Sequence, residues 1–263
     1  MKIKPKKSLG QNFLVDNNII ELITNLGQIS DKDIVLEVGP GTGNLTKSIL
    51  RKNPKKLIVV EKDKNLSTLL LNKFKKKINL INEDILNIHE EKLTSGPMII
   101  FGNLPYNIST QILVKWIKLK NLNNICKKFI LMFQKEVADR IIADSNDKKY
   151  GRLSILSSWR LNIKKIKDIN PNSFFPSPKV KSTILLFEPK KEFFKFNDPK
   201  NLEYVTNIFF NQRRKMIKKP INKLFRETSV ISKKFNLDLK KRPQNLSPEI
   251  YFRICKEYEK FST

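Results

Sequence analysis

Histidine and cysteine are almost missing from this chain: His89 stands alone, and Cys126 and Cys255 lie far apart with no C-x-x-C or H-E-x-x-H spacing around them. No zinc site, and no other metal centre, is expected. A nucleophile needing a histidine base would depend on His89, which sits in the polar run Asn87-Ile88-His89-Glu90-Glu91 and reads as a surface residue. Two cysteines without a secretory signal point to reduced thiols in a cytoplasm, because Gln11, Asn12, Asp16, Asn17 and Asn18 interrupt any apolar core near the basic N-terminus. No window approaches the roughly 18 apolar residues that span a bilayer, so no membrane partner is expected. Acidic residues are scarce too, 25 against 52 Lys plus Arg, which leaves a net charge of +27. That balance favours a polyanionic partner, nucleic acid first, although lysines crowd every region, linkers included, as a general compositional bias would also place them.

What is present reads as a folded chain. Hydrophobic residues at 40% and charged residues at 29% exclude a disordered or collagen-like polymer, and 263 residues suffice for one large domain plus one small. From about residue 33 to 189, short β-branched runs alternate with longer stretches of helical periodicity, the pattern of βαβ units on a parallel sheet. Strands are predicted at 34–38, 57–60, 78–81, 98–101 and 129–133, and helices at 45–51, 66–74, 110–119, 136–143 and around 153–159. Residues 162–169 and 180–187 read as two further strands whose connection is too short for a crossover helix, so they are expected to pair antiparallel. Pro189, Lys190-Lys191-Glu192 and Asn197-Asp198-Pro199 mark a boundary. Beyond it, 202–210, 216–225 and 248–258 read as amphipathic helices, the last capped by Ser247 with Pro248 in first position. The expected architecture is an α/β domain over residues 1–190, doubly wound and ending in an antiparallel hairpin, followed by a small all-α domain over 191–263.

Chemistry concentrates at the strand ends. Val38-Gly39-Pro40-Gly41-Thr42-Gly43-Asn44 carries a strand through a glycine turn into a helix, letting a ligand approach the backbone where a Cβ would obstruct it. The dinucleotide fingerprint requires a glycine where Asn44 stands, which argues against a pyrophosphate ligand. Glu61 ends the next strand, where a carboxylate can accept both hydroxyls of a ribose, and Asp84 follows the third. A glycine turn, a ribose acid and a third acid describe a nucleoside pocket without phosphate. S-adenosylmethionine fits that description better than NAD does.

The fourth strand runs into Asn103-Leu104-Pro105-Tyr106-Asn107. An exocyclic adenine amine is a poor nucleophile, because its lone pair is delocalised into the ring. The Asn103 side-chain oxygen and the Leu104 carbonyl can accept its two protons and point the lone pair at an electrophilic methyl. Pro105 fixes the turn, and Tyr106 offers a ring on which a flipped base can stack. Phe174 and Phe175, in a proline-bracketed loop, are either a second stacking face opposite Tyr106 or plain anchors. Arg213, Arg214, Lys215, Lys218 and Lys219 form a basic cluster that reads as a phosphate-binding face or as a solvated helix surface.

Taken together, Ser8-Leu9-Gly10-Gln11-Asn12-Phe13-Leu14-Val15-Asp16, the turn from Glu37 to Gly43, the Phe101 to Thr110 segment, Phe133-Gln134-Lys135-Glu136-Val137, Tyr150-Gly151-Arg152-Leu153-Ser154, Phe174 through Ser182 and Asn211-Gln212-Arg213-Arg214-Lys215 resemble the ribosomal RNA adenine N6-dimethyltransferases. These motifs occur in order over nearly the whole chain. Gly10, Leu104 and the 211–215 segment favour the branch acting on small-subunit RNA over the large-subunit branch. The resemblance implies a class I, Rossmann-like methyltransferase that uses S-adenosylmethionine as methyl donor. It implies Asn12, Leu14, Gly39, Glu61, Asp84 and Asn103 at the donor, and Leu104, Pro105, Tyr106 and Phe174 around the target adenine. The implied substrate is two adjacent adenosines near the 3′ end of 16S-type ribosomal RNA in the small ribosomal subunit, met by a cytoplasmic monomer. A large-subunit RNA methyltransferase and a non-catalytic ribosome-assembly factor are the alternatives. The turn departs from the family pattern at Thr42, Gly43 and Asn44, which leaves the strength of donor binding open there.

Overall fold

In the computed structural model, which describes residues 5–6, 9–94 and 96–261, the β-branched runs become strands buried on both faces. Such runs suit a parallel sheet covered by helices on either side. In chain order the elements up to Pro189 are β1 (Phe13–Leu14), α1 (Asn17–Gly27), β2 (Ile34–Val38), α2 (Asn44–Arg51), β3 (Lys56–Val60), α3 (Lys64–Phe74), β4 (Asn79–Ile81), β5 (Met98–Asn103), α4 (Ser109–Ile117), α5 (Leu122–Ile125) and β6 (Cys126–Gln134). Then come α6 (Lys135–Ile142), α7 (Arg152–Arg160), β7 (Leu161–Ile169), β8 (Phe174–Phe175) and β9 (Ser182–Pro189). Seven strands form one sheet in the order β4-β3-β2-β5-β6-β9-β7. β2 pairs parallel with both β3 and β5, β3 with β4, and β5 with β6. The chain therefore winds outward from β2 to β4 and returns to β5 on the other side. That reversal opens a crevice beyond the carboxyl ends of β2 and β5, where open α/β sheets bind ligands.

The expected hairpin closes the sheet: β7 and β9 are hydrogen-bonded neighbours at its end, with β9 as the inner strand, antiparallel to β6 from Phe129↔Phe187 to Gln134↔Ser182. The reason is burial: Ser182, Thr183, Ile184 and Leu185 are all inside, whereas β7 alternates and carries Lys164, Lys165, Lys167 and Asp168, as an edge strand does. The elements before residue 33 were not expected. α1 starts at Asp16, whose carboxylate accepts the N–H groups of Asn18 and Ile19. β1 pairs antiparallel with β8, Phe13 opposite Phe175 and Leu14 opposite Phe174.

The second compact unit contains Asp139–Leu161 together with Lys190–Thr263, so where one division is expected at residue 190 the chain passes between the units three times. Aromatic packing explains it. Trp159, on α7, packs tilted against Phe196 with ring centroids 5.0 Å apart and donates its indole N–H to the Phe194 carbonyl, while Tyr150 meets Phe210 edge-on at 6.2 Å. The remaining helices are α8 (Lys200–Phe210), α9 (Lys218–Leu224), α10 (Thr228–Lys234) and α11 (Pro248–Glu259). α10 escaped the periodicity because its apolar pair is split, Ile231 buried and Val230 exposed. Ser247 occupies the N-cap of α11 with Pro248 next, but its side chain makes no capping bond.

Candidate active site

One cavity lies beyond the carboxyl ends of β2, β3, β4 and β5, and the 9–14 segment forms one of its walls. Gly39 and Gly41 hold φ of +67° and +57°. A Cβ on Gly41 would stand 2.6 Å from the Phe13 ring, whereas one on Gly39 would meet nothing nearer than the Asn103 carbonyl at 3.6 Å. Gly41 is thus required by packing, and Gly39 keeps cavity space open. Asn44, where a dinucleotide site has its last glycine, donates Nδ2–H to the Leu14 carbonyl at 2.9 Å and ties the N-terminal wall to α2.

Glu37, Glu61, Glu83 and Asp84 line the same space. Glu61 is buried, and its oxygens accept the N–H groups of Asp63 (2.9 Å) and Gly41 (3.3 Å). Burial nevertheless holds its carboxyl above the ordinary value. Asp84 is also raised by burial, but the Lys62 ammonium at 2.8 Å and the Leu86 N–H at 2.9 Å outweigh that and leave it below the usual range. Glu37, the penultimate residue of β2, is pushed up to about 8 by burial, and its Oε2 has no hydrogen-bond partner. An ionised carboxylate offers about four lone-pair sites, so Glu61 keeps acceptor capacity beyond its two backbone donors. Glu61→Ala is expected to weaken S-adenosylhomocysteine binding by about 10- to 100-fold, since hydrogen bonds to charged groups contribute about 1.5–3 kcal/mol. Calorimetry on the folded variant checks it, and unaltered affinity would remove Glu61 from the site.

At the end of β5 the Asn103 amide donates Nδ2–H to the Asn12 carbonyl at 2.8 Å. A carbonyl can only accept, so this contact fixes the amide and leaves Oδ1 as its second functional group. The following turn is closed by Ile108 N–H to the Pro105 carbonyl and by the Ser109 hydroxyl to the Tyr106 carbonyl, both at 3.2 Å. Tyr106 shares a 2.5 Å hydrogen bond with the Ser182 hydroxyl, and burial raises its phenol so that it stays protonated. A cleft with the fixed Asn103 amide among its lining residues is what results.

A family model described as ribosomal RNA adenine dimethylase matches residues 2–260. The chain belongs to that family. Ribosomal RNA small subunit methyltransferase A of Pelagibacter ubique (strain HTCC1062) is 57% identical over 259 residues, 98% of each chain. A crystal structure of a dimethyladenosine transferase from Plasmodium falciparum is similar with a TM-score of 0.76, covering 94% of this chain and 98% of that one at 26% identity. The crystal structure of the 23S rRNA methyltransferase ErmE, at 21% identity, has the same fold with a TM-score of 0.70 over 95% of this chain and 100% of that one. The dimethylase is accordingly a class I methyltransferase in fold.

Of the residues singled out from sequence, Asn12, Leu14, Gly39, Glu61, Asp84, Asn103, Leu104, Pro105 and Tyr106 all line the dimethylase's cavity. Phe174 is not among the lining residues: it is 3% exposed and packs in the core with Leu14, and the exposed ring of the pair is that of Phe175. Ser8 lies outside the described residues. Sequence reading missed Asp63, whose carboxylate receives both Lys6 Nζ at 2.9 Å and Gln11 Nε2 at 3.1 Å and anchors the N-terminal wall. It missed Phe13 for the same reason, since nothing local marks a contact with Gly41. In the helical unit Arg214, Lys215, Lys218 and Lys219 are exposed, but Arg213 is not a free cation: it donates to Gln244 Oε1 at 3.1 Å and to the Lys148 carbonyl. His89 is exposed. Among the described residues no His, Cys, Asp and Glu side chains gather as a metal-ligand set, and no helix is long and apolar enough to cross a membrane.

Proposed function

We propose that this dimethylase transfers methyl groups from S-adenosylmethionine to N6 of two adjacent adenosines near the 3′ end of small-subunit (16S-type) ribosomal RNA, giving N6,N6-dimethyladenosine during maturation of the small subunit in the cytoplasm. The observation that carries the reading is the Asn103 amide, pinned by the Asn12 carbonyl at the rim of a cavity that also holds Glu61 and Asp84. The cavity fits the donor: Gly39 leaves its Cβ position empty, Glu61 retains acceptor capacity for ribose hydroxyls, and the buried Oε2 of Glu37 calls for a ligand group or water. When bound, the donor supplies an electrophilic sulfonium methyl. The residues supply orientation. Asn103 Oδ1 and the Leu104 carbonyl accept the two amine protons, which draws the nitrogen toward tetrahedral geometry and localises its lone pair for attack. Tyr106, its hydroxyl held by Ser182, offers its ring face to the flipped base. No group with a base's pKa is needed, because the proton leaves after the amine has become cationic.

The small-subunit substrate is supported by the name of the relative that is 57% identical. The test offers small subunits, large-subunit RNA and duplex DNA separately with labelled donor. Label confined to small subunits and recovered as N6,N6-dimethyladenosine is expected; label in large-subunit RNA alone would overturn the assignment. Selection of two adenines among many must come from interactions away from the chemistry, and the exposed Arg214, Lys215, Lys218 and Lys219 are the proposed phosphate partners. Replacing any one of these four cations with alanine should shallow the log–log salt dependence of particle binding by about 0.7–0.9, with donor binding unchanged. Parallel salt slopes with equal affinities would make the cluster a solvated face. Arg213→Ala is expected to lower the melting temperature instead, because it unties residues 147–148 from Gln244.

A further inference from the structure

The wall that carries Asp84 has little regular structure of its own. β4 ends at Ile81, and residues 84–92 follow as two single 3-10 turns, the first capped by Asp84 Oδ1 on the Leu86 N–H. What holds this segment comes from α4. The Lys115 ammonium lies 2.8 Å from the Ile85 carbonyl, 2.5 Å from the Ile88 carbonyl and 2.6 Å from Glu90 Oε1, so all three of its protons end on residues 85–90. Glu90 is completely buried, and the same Oε1 accepts the Trp116 indole N–H at 2.6 Å. A surface lysine would be satisfied by water; this one replaces the hydrogen bonds that a longer strand or helix would have given the segment.

We propose that Lys115 is a positioning residue for the methyl donor: by bonding the Ile85 and Ile88 carbonyls and Glu90 it sets the Asp84–Ile85 wall of the cavity against α4. Asp84 and Ile85 both line the cavity, whereas Lys115, Glu90 and Trp116 do not, so the effect is transmitted and not made by contact. The Lys115 charge is also among the groups that lower the Asp84 carboxyl. The inference rests on the reading of this cavity as the donor site.

Lys115→Met keeps the stem and removes the three bonds. Calorimetry with S-adenosylhomocysteine should show affinity reduced about tenfold, with small-subunit affinity unchanged and the donor KM raised more than kcat is lowered. Lys115→Arg, which can reach the same carbonyls, should recover part of the loss. Because Lys115 acts through Asp84, a cycle with Asp84→Ala should be non-additive, the double variant binding no more weakly than Asp84→Ala alone. Wild-type affinity in Lys115→Met, or penalties that simply add, would overturn the proposal. If Lys115→Met does not fold, hydrogen exchange on the wild type decides: saturation with S-adenosylhomocysteine should slow exchange of the Leu86 and Ile88 amides, and unchanged exchange there overturns the proposal. Failure of the wild-type enzyme to bind S-adenosylhomocysteine at all would instead defeat the donor-site reading itself.

Discussion

Asn103→Ala is expected to lower single-turnover methylation of small subunits by about a hundredfold or more, the scale on which a misplaced reacting group loses rate. The adenine amine is unreactive while its lone pair is delocalised into the ring π-system, and the Asn103 oxygen is one of the two proposed acceptors that localise it on nitrogen. That interaction strengthens as the nitrogen becomes cationic, so its loss falls on the rate more than on RNA affinity. The amide has a second task, though, since its Nδ2 holds the Asn12 carbonyl at 2.8 Å. Truncation should therefore also weaken S-adenosylhomocysteine binding by about 2- to 10-fold, the worth of one hydrogen bond of about 0.5–1.5 kcal/mol. Asn103→Asp separates the two tasks. It keeps an oxygen for the amine but sets a second oxygen against the Asn12 carbonyl, so donor binding should suffer more than in the alanine variant while some methyl transfer remains. Near wild-type turnover in Asn103→Ala would mean that another residue holds the amine.

Legibility in the sequence followed the range of the interaction. Gly39, Glu61, Asp84 and Asn103 could be named because each stands at or just beyond the carboxyl end of a strand whose apolar run is continuous, and the topology of such sheets puts ligands at that edge. Asp63 stands two residues beyond Glu61 and was passed over, because its role depends on Lys6 and Gln11, more than fifty positions away. Phe13 likewise acquires its place from Gly41 and from its register with Phe175, neither of which leaves a local periodicity. The hairpin shows the same limit from the other side. Two strands with a short connection were visible, but which of them lies inside the sheet was decided by burial of both faces of β9, which alternation alone does not rank. Phe174 packs in the core cluster with Leu14, a contact across the β1–β8 pair that its proline-bracketed loop does not announce. Residues 139–161 joined the helical unit because Trp159 and Tyr150 find aromatic partners there, a choice made between surfaces and not along the chain.

Replacing Glu37 with glutamine should reverse a pH-dependent weakness of the dimethylase. Burial pushes the Glu37 carboxyl from an ordinary value of 4.5 up to about 8 in the folded chain, and the neighbouring Glu61 charge adds to the rise. Between those two values the folded protein holds a proton that the unfolded chain has lost, so stability falls as pH rises from about 4.5 to about 8 and this contribution is level outside that window. The loss amounts to a few kcal/mol at most, on the scale of about 1.4 kcal/mol for each pH unit by which the carboxyl is shifted. Glutamine has nearly the same shape and no charge to desolvate, so the melting temperature of Glu37→Gln relative to wild type should climb steadily across the window and then level off. The functional consequence concerns which acids carry charge beside the donor. With Glu37 protonated at neutral pH, the cavity meets a cationic sulfonium with Asp84 ionised and with Glu37 as a neutral hydrogen-bonding group. Donor affinity in Glu37→Gln should then stay within about threefold of wild type at pH 7, a difference of about 0.7 kcal/mol. Melting curves that run parallel from pH 5 to 9 would show that Glu37 is ionised in the folded protein and that the cavity carries a buried negative charge at β2.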